Sequence, residues 1–317
     1  MKEGVIHWFR KGLRLHDNPA LMDAIQTKLK LYPIFILDPW FVKNARVGIN
    51  RWRFLQQSLD DLDEQLQRLG SRLFVVRGTP EKMFPDMFKN WNVSKLTFEI
   101  DTEPYSKVRD KAVAEIATKY NVEVSSYVSH TLYDLSKVVE KNKGLAPLTY
   151  QKMSSLISSM GTPQNSLLPP SSICKSCLPE QDFLQNKLFD VPDLEELGVK
   201  QTDLNECLYY GGETEGLKRL EKYICDKNKK WVAEFEKPKT SPNSLEPSTT
   251  VLSPYLKFGC VSPRLMYEKL QNVYKMVPKH SNPPVSLYGQ LLWREFFYTC
   301  GYAVQNFDRM EGNFLVI

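Results

Sequence analysis

The sequence has no long apolar segment, and it is poor in histidine and cysteine. No apolar run approaches the length of a membrane span, and the first residues lead into a strand pattern rather than a signal peptide. The six cysteines are scattered through 317 residues, which indicates a reducing compartment. Cys174 and Cys177 form the only close pair, and no histidine lies at ligand spacing to complete a zinc site. Metal or redox use of this pair is therefore the less favoured interpretation.

The sequence also lacks a strong charge imbalance and a glycine-rich nucleotide motif. It has 42 Lys and Arg against 37 Asp and Glu, a net charge of +5, which permits a polyanionic partner without requiring one. No G-x-G-x-x-G phrase follows the first predicted strand, so a dinucleotide site of that type is not supported. The length is sufficient for two domains.

The first part of the chain alternates between strand and helix patterns. Strands are predicted at residues 5–9, 31–37, 73–76, 95–100 and 122–128, separated by helical segments. This alternation predicts a parallel sheet with helices on both faces. Ligands of such sheets bind beyond the carboxyl ends of the strands, where Arg10, Lys11 and Arg14 follow the first strand. We interpret these three residues as a solvated basic loop rather than as catalytic groups.

The rest of the chain changes character twice. Residues 130–206 are rich in Pro, Ser, Asn and Lys, and they predict a long connector that wraps a domain surface, because apolar pairs recur in it. From residue 211 onward the apolar spacing is helical. We therefore expect an α/β domain at 1–129, an inter-domain connector at 130–206 and a helical domain at 207–317.

Two phrases of the helical part could bind a ligand. Ser253 followed by Pro254 predicts a helix start with a hydroxyl at the cap, and Thr249 and Thr250 lie just before it. Hydroxyls gathered at a helix N-terminus can bind phosphate, although an ordinary capped helix is the commoner explanation.

The second phrase, residues 288–297, predicts a buried helix. Gln290, Arg294 and Glu295 would lie among apolar neighbours, where polar groups must be paired or must meet a ligand. Trp293 beside Arg294 suits stacking against a flat ring. A core helix with an internal ion pair is the alternative, and both interpretations stay open.

A third feature is a run of lysines near two aromatic residues, Trp231 and Phe235. It comprises Lys227, Lys229, Lys230 and Lys237. Such a face could contact the DNA backbone, and a solvated lysine run beside a core aromatic is equally consistent with the pattern.

Long phrases in both parts resemble the photolyase/cryptochrome family, nearest to its (6-4) photolyase and animal cryptochrome branch. They are residues 7–21, 36–40, 50–55, 231–238, 243–245, 252–260 and 291–296. The resemblance covers nearly the whole chain in the same order. It implies a Rossmann-like α/β N-terminal domain, then the connector, then an all-α FAD-binding domain. From Phe314 onward the sequence departs from the family, so we expect a C-terminally truncated chain with an incomplete FAD-binding domain.

The resemblance also implies an activity. The expected protein is a blue-light-dependent flavoprotein that repairs UV-induced (6-4) photoproducts by electron transfer from excited reduced FAD. The residues implied as cofactor-binding are Thr249, Thr250, Val251, Leu252, Ser253, Gln290 and Arg294. Gln290 would lie between flavin and lesion, and Trp293 would wall the lesion pocket. Lys237 and Trp293 would contact DNA. An antenna chromophore, a deazaflavin or a folate, is implied for the N-terminal domain.

Two alternatives accompany this hypothesis. One is a cryptochrome-type photoreceptor or circadian transcriptional repressor that acts through clock proteins. The other is an inactive truncated isoform. For the repair hypothesis the partner is UV-damaged DNA. We expect a monomer without membrane association, located in the nucleus or in both nucleus and cytoplasm.

Overall fold

The sheet of the N-terminal part is parallel and has five strands. The computed structural model describes residues 2–44, 47–236 and 249–313. The strand order is β3-β2-β1-β4-β5. The strands are β1 Gly4–Phe9, β2 Lys30–Leu37, β3 Phe74–Arg77, β4 Val93–Glu99 and β5 Glu123–Tyr127. The predicted parallel sheet is confirmed, and each strand begins and ends within one or two residues of its predicted bounds.

Helices cover both faces of this sheet. They are α1 Pro19–Gln26, α2 Pro39–Asn44, α3 Ile49–Arg68, α4 Pro80–Asn90 and α5 Pro104–Lys119. Because side chains alternate along a strand, Val5 and Phe9 of β1 join the core that contains α1 and α3. Ile6 and Trp8 join the second core, with α4 and α5. Burial on both faces explains why the strands read as continuous apolar runs.

The segment predicted as a wrapping connector contains regular structure. It forms α6 Leu135–Lys141, α7 Tyr150–Ser158, the short α8 Gln181–Leu184 and several single-turn 3-10 segments. Met153, Leu156 and Ile157 of α7 are buried in the larger core. The connector is therefore held against the fold by apolar contacts, as the recurring apolar pairs predict.

The C-terminal part is helical, as predicted. It contains α9 Glu213–Tyr223, α10 Lys229–Glu234, α11 Ser253–Phe258, α12 Pro263–Met276 and α13 Leu287–Ala303. Val5, Leu220, Tyr255 and Leu291 belong to one core cluster that runs from the sheet into these helices. The domain bounds at 129/130 and 206/207 stay a prediction. Among the helices of the described ranges, none is both long enough and apolar enough to cross a membrane.

The interpretation of the loop after β1 as a solvated basic loop is wrong. Arg14 is fully buried and donates hydrogen bonds to the carbonyl oxygens of Gly259, Asp17 and Ser129 at 2.8–3.0 Å. Lys11 Nζ lies 2.8 Å from carboxylate oxygens that follow β4. The guanidinium of Arg10 lies 4.8 and 4.5 Å from two aromatic rings and pairs with an aspartate of α5. The acidic partners are distant in sequence, so the basic run alone could not reveal them.

Two acidic residues also tie parts of the fold together. Glu213, which suits the first turn of α9 by its charge, is buried and accepts the backbone N–H groups of Leu15 and His16 at 2.6 and 3.0 Å. Asp61 of α3 accepts the N–H of Thr214 at 3.0 Å. Both carboxylates position α9 against the N-terminal part.

Candidate flavin site and strand-end cleft

The hydroxyl-rich stretch before α11 forms a bent loop. The helix begins at Ser253 with Leu252 at the N-cap, so the hydroxyl predicted at the cap lies one residue inside the helix and makes no cap hydrogen bond. The hydroxyl oxygens of Thr249 and Thr250 accept the N–H groups of Val251 and Leu252, both at 3.4 Å. A hydroxyl that accepts a hydrogen bond still has its own O–H to donate, so these side chains fit ligand phosphate oxygens.

Two further contacts hold this loop in place. Arg219 of α9 donates a hydrogen bond to the carbonyl oxygen of Thr250 at 3.2 Å. Leu252 is buried in the core and anchors the end of the loop. Between these two contacts, Val251 has a positive φ of 49°, a backbone conformation that is strained for a β-branched side chain. Strain that the surrounding contacts maintain is typical of ligand-binding loops.

Ser253 is exposed and opens onto a cleft between α11 and α3. The cavity has a volume of about 500 Å³. Its lining includes Asn50, Arg51, Arg53, Tyr209, Pro254 and Lys257. The hydroxyl and the cationic side chains can meet an anionic group. Glu206 lines the same cleft, and Arg53 already donates to the carbonyl oxygen of Asn205 at 2.6 Å. Lys257 already pairs with Glu103 at 2.7 Å.

Helix α13 is buried on one face only. Leu291, Leu292 and Glu295 are buried, whereas Gln290 is exposed and Trp293 retains 36% of its surface. Phe297, one turn beyond Trp293, retains 57%. Gln290 therefore does not lie among apolar neighbours as predicted, whereas Glu295 lies on the buried face with Leu291 and Leu292.

The exposed side of α13 presents a set of aromatic rings, which we call the α13 aromatic face: Tyr150, Trp293, Phe296 and Phe297. The ring centroid of Trp293 lies 4.5 Å from that of Tyr150 and 6.1 Å from that of Phe297, with interplanar angles of 33° and 26°. Phe296 meets the indole edge-on at 5.8 Å. A flat, partly exposed indole held in this way suits stacking against another ring.

Arg294 connects α13 with α11. Its Nη2 donates to the carbonyl oxygen of Leu256 at 3.4 Å, and its guanidinium lies 4.4 Å from the ring centroid of Tyr298. The predicted internal ion pair is present but long, with Arg294 Nη1 3.6 Å from Glu295 Oε1. These two buried atoms have no hydrogen-bond partner. Burial raises the pKa of Glu295 to about 7. Such atoms are the ones that a polar ligand or an ordered water satisfies.

The predicted site residues thus fall into two groups. The stretch from Thr249 to Ser253 and the side chain of Arg294 both adjoin α11, whereas Gln290 and Trp293 lie on the open face of α13. Lys237 lies outside the described residues.

The other lysines of the predicted DNA-binding run are exposed. They are Lys227, Lys229 and Lys230. Phe235 is buried and Trp231 is partly buried, so both aromatic residues belong to the core rather than to an open face. DNA contact through this run stays a prediction.

A second cavity lies where β1, β2 and β4 end, the place that sheets of this kind use for ligands. Its volume is about 220 Å³. The apolar part of its lining is Phe9, Phe35, Leu37, Phe41, Trp52 and Phe258, and the charged part includes Arg10, Lys11, Asp38, Asp101 and Arg109. A mixed lining of this kind fits a flat heterocycle with polar edges. We call it the strand-end cleft.

One aromatic residue beside the strand-end cleft has no motif of its own in the sequence. Tyr105, at the start of α5, donates its hydroxyl to the buried Asp38 and stacks on Trp40 with ring centroids 3.9 Å apart. Burial, followed by its hydrogen bond to Asp38, raises the pKa of Tyr105. Its position directly after the end of β4 is the one signal that could have indicated it.

The chain is similar to proteins of one known family. A model described as DNA photolyase matches residues 5–169. The chain belongs to the photolyase/cryptochrome family. Cryptochrome-1 of Mus musculus is 51% identical over 316 residues, which is 99% of this chain and 52% of that protein. Cryptochrome-2 of Gallus gallus is 51% identical over 97% of this chain and 53% of its own length. The chain therefore spans about half the length of these relatives.

Solved structures confirm the fold class. A cryptochrome from Synechocystis superimposes with a TM-score of 0.76 at 26% identity, covering 96% of this chain and 62% of that one. A class III photolyase from Agrobacterium tumefaciens gives 0.73 at 23% identity over 98% and 60%. A photolyase from Sulfolobus tokodaii, solved with two FAD molecules, gives 0.65 at 24% over 94% and 59%. Members of the family bind FAD, and the Sulfolobus structure implicates a light-harvesting cofactor in that protein.

Proposed function

We propose that this chain is a cryptochrome-type flavoprotein that acts as a blue-light photoreceptor or circadian transcriptional repressor through protein partners. The observation that supports it most is the 51% identity to Cryptochrome-1 of Mus musculus across 99% of the chain. Clock proteins are the partners expected for this function, and the nucleus is the expected location.

The cofactor of this proposal is FAD, which supplies light absorption and one-electron chemistry. The hydroxyls of Thr249, Thr250 and Ser253 fit its phosphates, with the loop backbone at Val251 and Leu252 between them. Arg294, whose Nη1 has no hydrogen-bond partner, is the cation that could meet an anionic or carbonyl oxygen of the cofactor. In the strand-end cleft we propose an antenna chromophore, a deazaflavin or a folate.

A second candidate function, repair of (6-4) photoproducts, is favoured by one observation. Trp293 presents a partly exposed indole beside the exposed Gln290, an arrangement that can stack against a base taken out of the duplex. A distorted lesion has already lost much of its stacking, which lowers the cost of extrusion. In this hypothesis the partner is UV-damaged DNA, with Lys237 and Trp293 in contact with it.

The first experiment is the absorption spectrum of the purified chain after incubation with FAD and removal of free cofactor. We expect a flavin band at near-stoichiometric amount. A Thr249→Val, Ser253→Ala double variant, which removes two of the three proposed phosphate donors, should weaken FAD binding at least tenfold. Lys230→Ala, an exposed residue outside the site, is the matched control. A soluble, folded wild-type chain without a flavin band would overturn FAD binding by these elements.

A second experiment separates signalling from repair. The flavin-loaded chain is illuminated with blue light together with an oligonucleotide that carries one (6-4) photoproduct. The cryptochrome proposal predicts no loss of the lesion and, in cells, repression of a clock-driven reporter. Light-dependent restoration of the bases, abolished by Trp293→Ala, would instead establish the repair function.

A further inference from the structure

The connector contains a pair of cysteines that the flavin site does not use. Cys174 is exposed, and Cys177 retains only 4% of its surface. Residues Lys175–Cys177 form a single 3-10 turn, in which the N–H of Cys177 donates to the carbonyl oxygen of Cys174 at 2.8 Å. A turn closed in this way holds its first and fourth Cα atoms within about 7 Å, and disulfides span about 4.4–6.8 Å between Cα atoms. The backbone therefore already has the reach that a disulfide needs.

The two thiols have different environments. The side chain of Ser176, whose Oγ lies 3.1 Å from the Cys174 sulfur, and the N–H groups of Ser176 and Cys177 lower the pKa of the Cys174 thiol. Burial raises the pKa of the Cys177 thiol. The thiolate is the nucleophilic form of cysteine. The exposed Cys174 is thus the attacking thiol and the buried Cys177 is the resolving one.

The surrounding fold keeps this turn in position. Ile173 and Cys177 are both members of the larger core, and Leu178 packs against it. The turn lies against β2 of the sheet. Among the described residues no group of three or more His, Cys, Asp and Glu side chains is placed to hold a metal ion. Of the six cysteines in the sequence, Cys174 and Cys177 are the only two within four residues of each other.

We propose that Cys174 and Cys177 form a reversible thiol–disulfide centre that exchanges with low-molecular-weight disulfides such as oxidised glutathione. The Cys174 thiolate attacks one sulfur of the glutathione disulfide, forms a mixed disulfide and releases one glutathione thiolate. Cys177 loses its proton to solvent and attacks the Cys174 sulfur, which releases the second glutathione. Two electrons pass from the cysteine pair to the glutathione disulfide, which ends as two thiols. The centre does not depend on FAD binding.

The test is equilibration of the purified chain in buffers of increasing oxidised-to-reduced glutathione ratio. The samples are quenched with acid, alkylated and mapped by mass spectrometry. We expect the peptide that carries both cysteines to lose two alkylation sites and to gain an internal disulfide. Cys177→Ser should stop at one glutathione on residue 174, and Cys174→Ser should take up none because the remaining thiol is buried. Cys225→Ser, which removes a cysteine outside the pair, should behave as the wild type.

A rate measurement adds an independent readout. At pH 7, iodoacetamide should modify Cys174 at least about threefold faster than Cys177, because Cys174 is exposed with a lowered pKa and Cys177 is buried with a raised one. The proposal is overturned if both thiols remain alkylatable in fully oxidised glutathione. It is also overturned if the wild type accumulates as much mixed disulfide as Cys177→Ser. Equal rates of disulfide formation in the native chain and in urea would contradict the role of the folded turn.

Discussion

The substitution Glu295→Gln tests the electrostatics beneath the α13 aromatic face. Glu295 retains 1% of its surface, and its Oε2 accepts the N–H of Tyr133 at 3.4 Å. Arg294 lies 3.6 Å from Oε1 and favours the charged form, but desolvation is the larger effect. The pKa of the Glu295 carboxyl therefore rises from 4.5 to about 7.

The sign of the pH dependence follows from this shift. Between pH 4.5 and about 7 the folded chain holds a proton on Glu295 that the unfolded chain has lost. The free energy of unfolding therefore decreases as the pH rises through this window, by about 3 kcal/mol at about 1.4 kcal/mol per pKa unit. Glutamine has a similar shape and does not titrate. The stability of the wild type relative to Glu295→Gln should thus fall by about 3 kcal/mol between pH 4.5 and pH 8.

Urea unfolding of both proteins at several pH values measures this difference. Asp60, whose pKa burial raises to about 6, titrates in the same window but is present in both chains, so its contribution cancels. Glu195→Gln, at an exposed position whose carboxylate is not among the charges acting on Asp60 or Glu295, is the control variant and should not reproduce this pH-dependent difference. Parallel curves for wild type and Glu295→Gln would refute the raised pKa. A difference that grows in favour of the wild type with pH would show that Arg294 dominates.

Two further substitutions test how the N-terminal loop is joined to the helical part. Asp17→Ala leaves the buried Arg264 without its bidentate partner, whose oxygens lie 2.7 and 2.9 Å from the guanidinium nitrogens. It should lower the free energy of unfolding in urea by about 3–5 kcal/mol, and Arg264→Met added to it should recover part of the loss. Gly259→Ala should abolish soluble folded protein, measured by expression and circular dichroism, because a Cβ at this positive φ would overlap the backbone of Gly12. Gly161→Ala is its control, with a positive φ and open space, and should cost about 1 kcal/mol. Wild-type stability of Asp17→Ala, or normal folding of Gly259→Ala, would contradict these contacts.

The sheet could be predicted because its signals are local. Each strand is a short apolar run, and Pro19, Pro80 and Pro104 mark helix starts where a missing N–H costs nothing. Burial on both faces makes the apolar runs continuous, so their identification does not depend on knowing which strand pairs with which.

The environment of the charged residues could not be predicted in the same way. Arg14 reaches a carbonyl 245 residues away, and Glu213 meets the N–H groups of a loop 197 and 198 residues away. A charge in a sequence carries no information about partners at such separations. The sequence pattern therefore identified the strands and helices better than it identified the surroundings of the charged side chains.

The two candidate cavities have three lining residues in common, so a substitution at one of these residues affects both cavities. Arg51, Lys257 and Phe258 line both the cleft at Ser253 and the strand-end cleft. Lys257 also pairs with Glu103, which in turn meets Lys11 of the strand-end cleft. A substitution at Lys257 therefore changes the charge of both cavities at once. Variants that separate the two sites must come from residues confined to one cavity, Ser253 for the first and Trp52 for the second, because only those changes leave the shared wall intact.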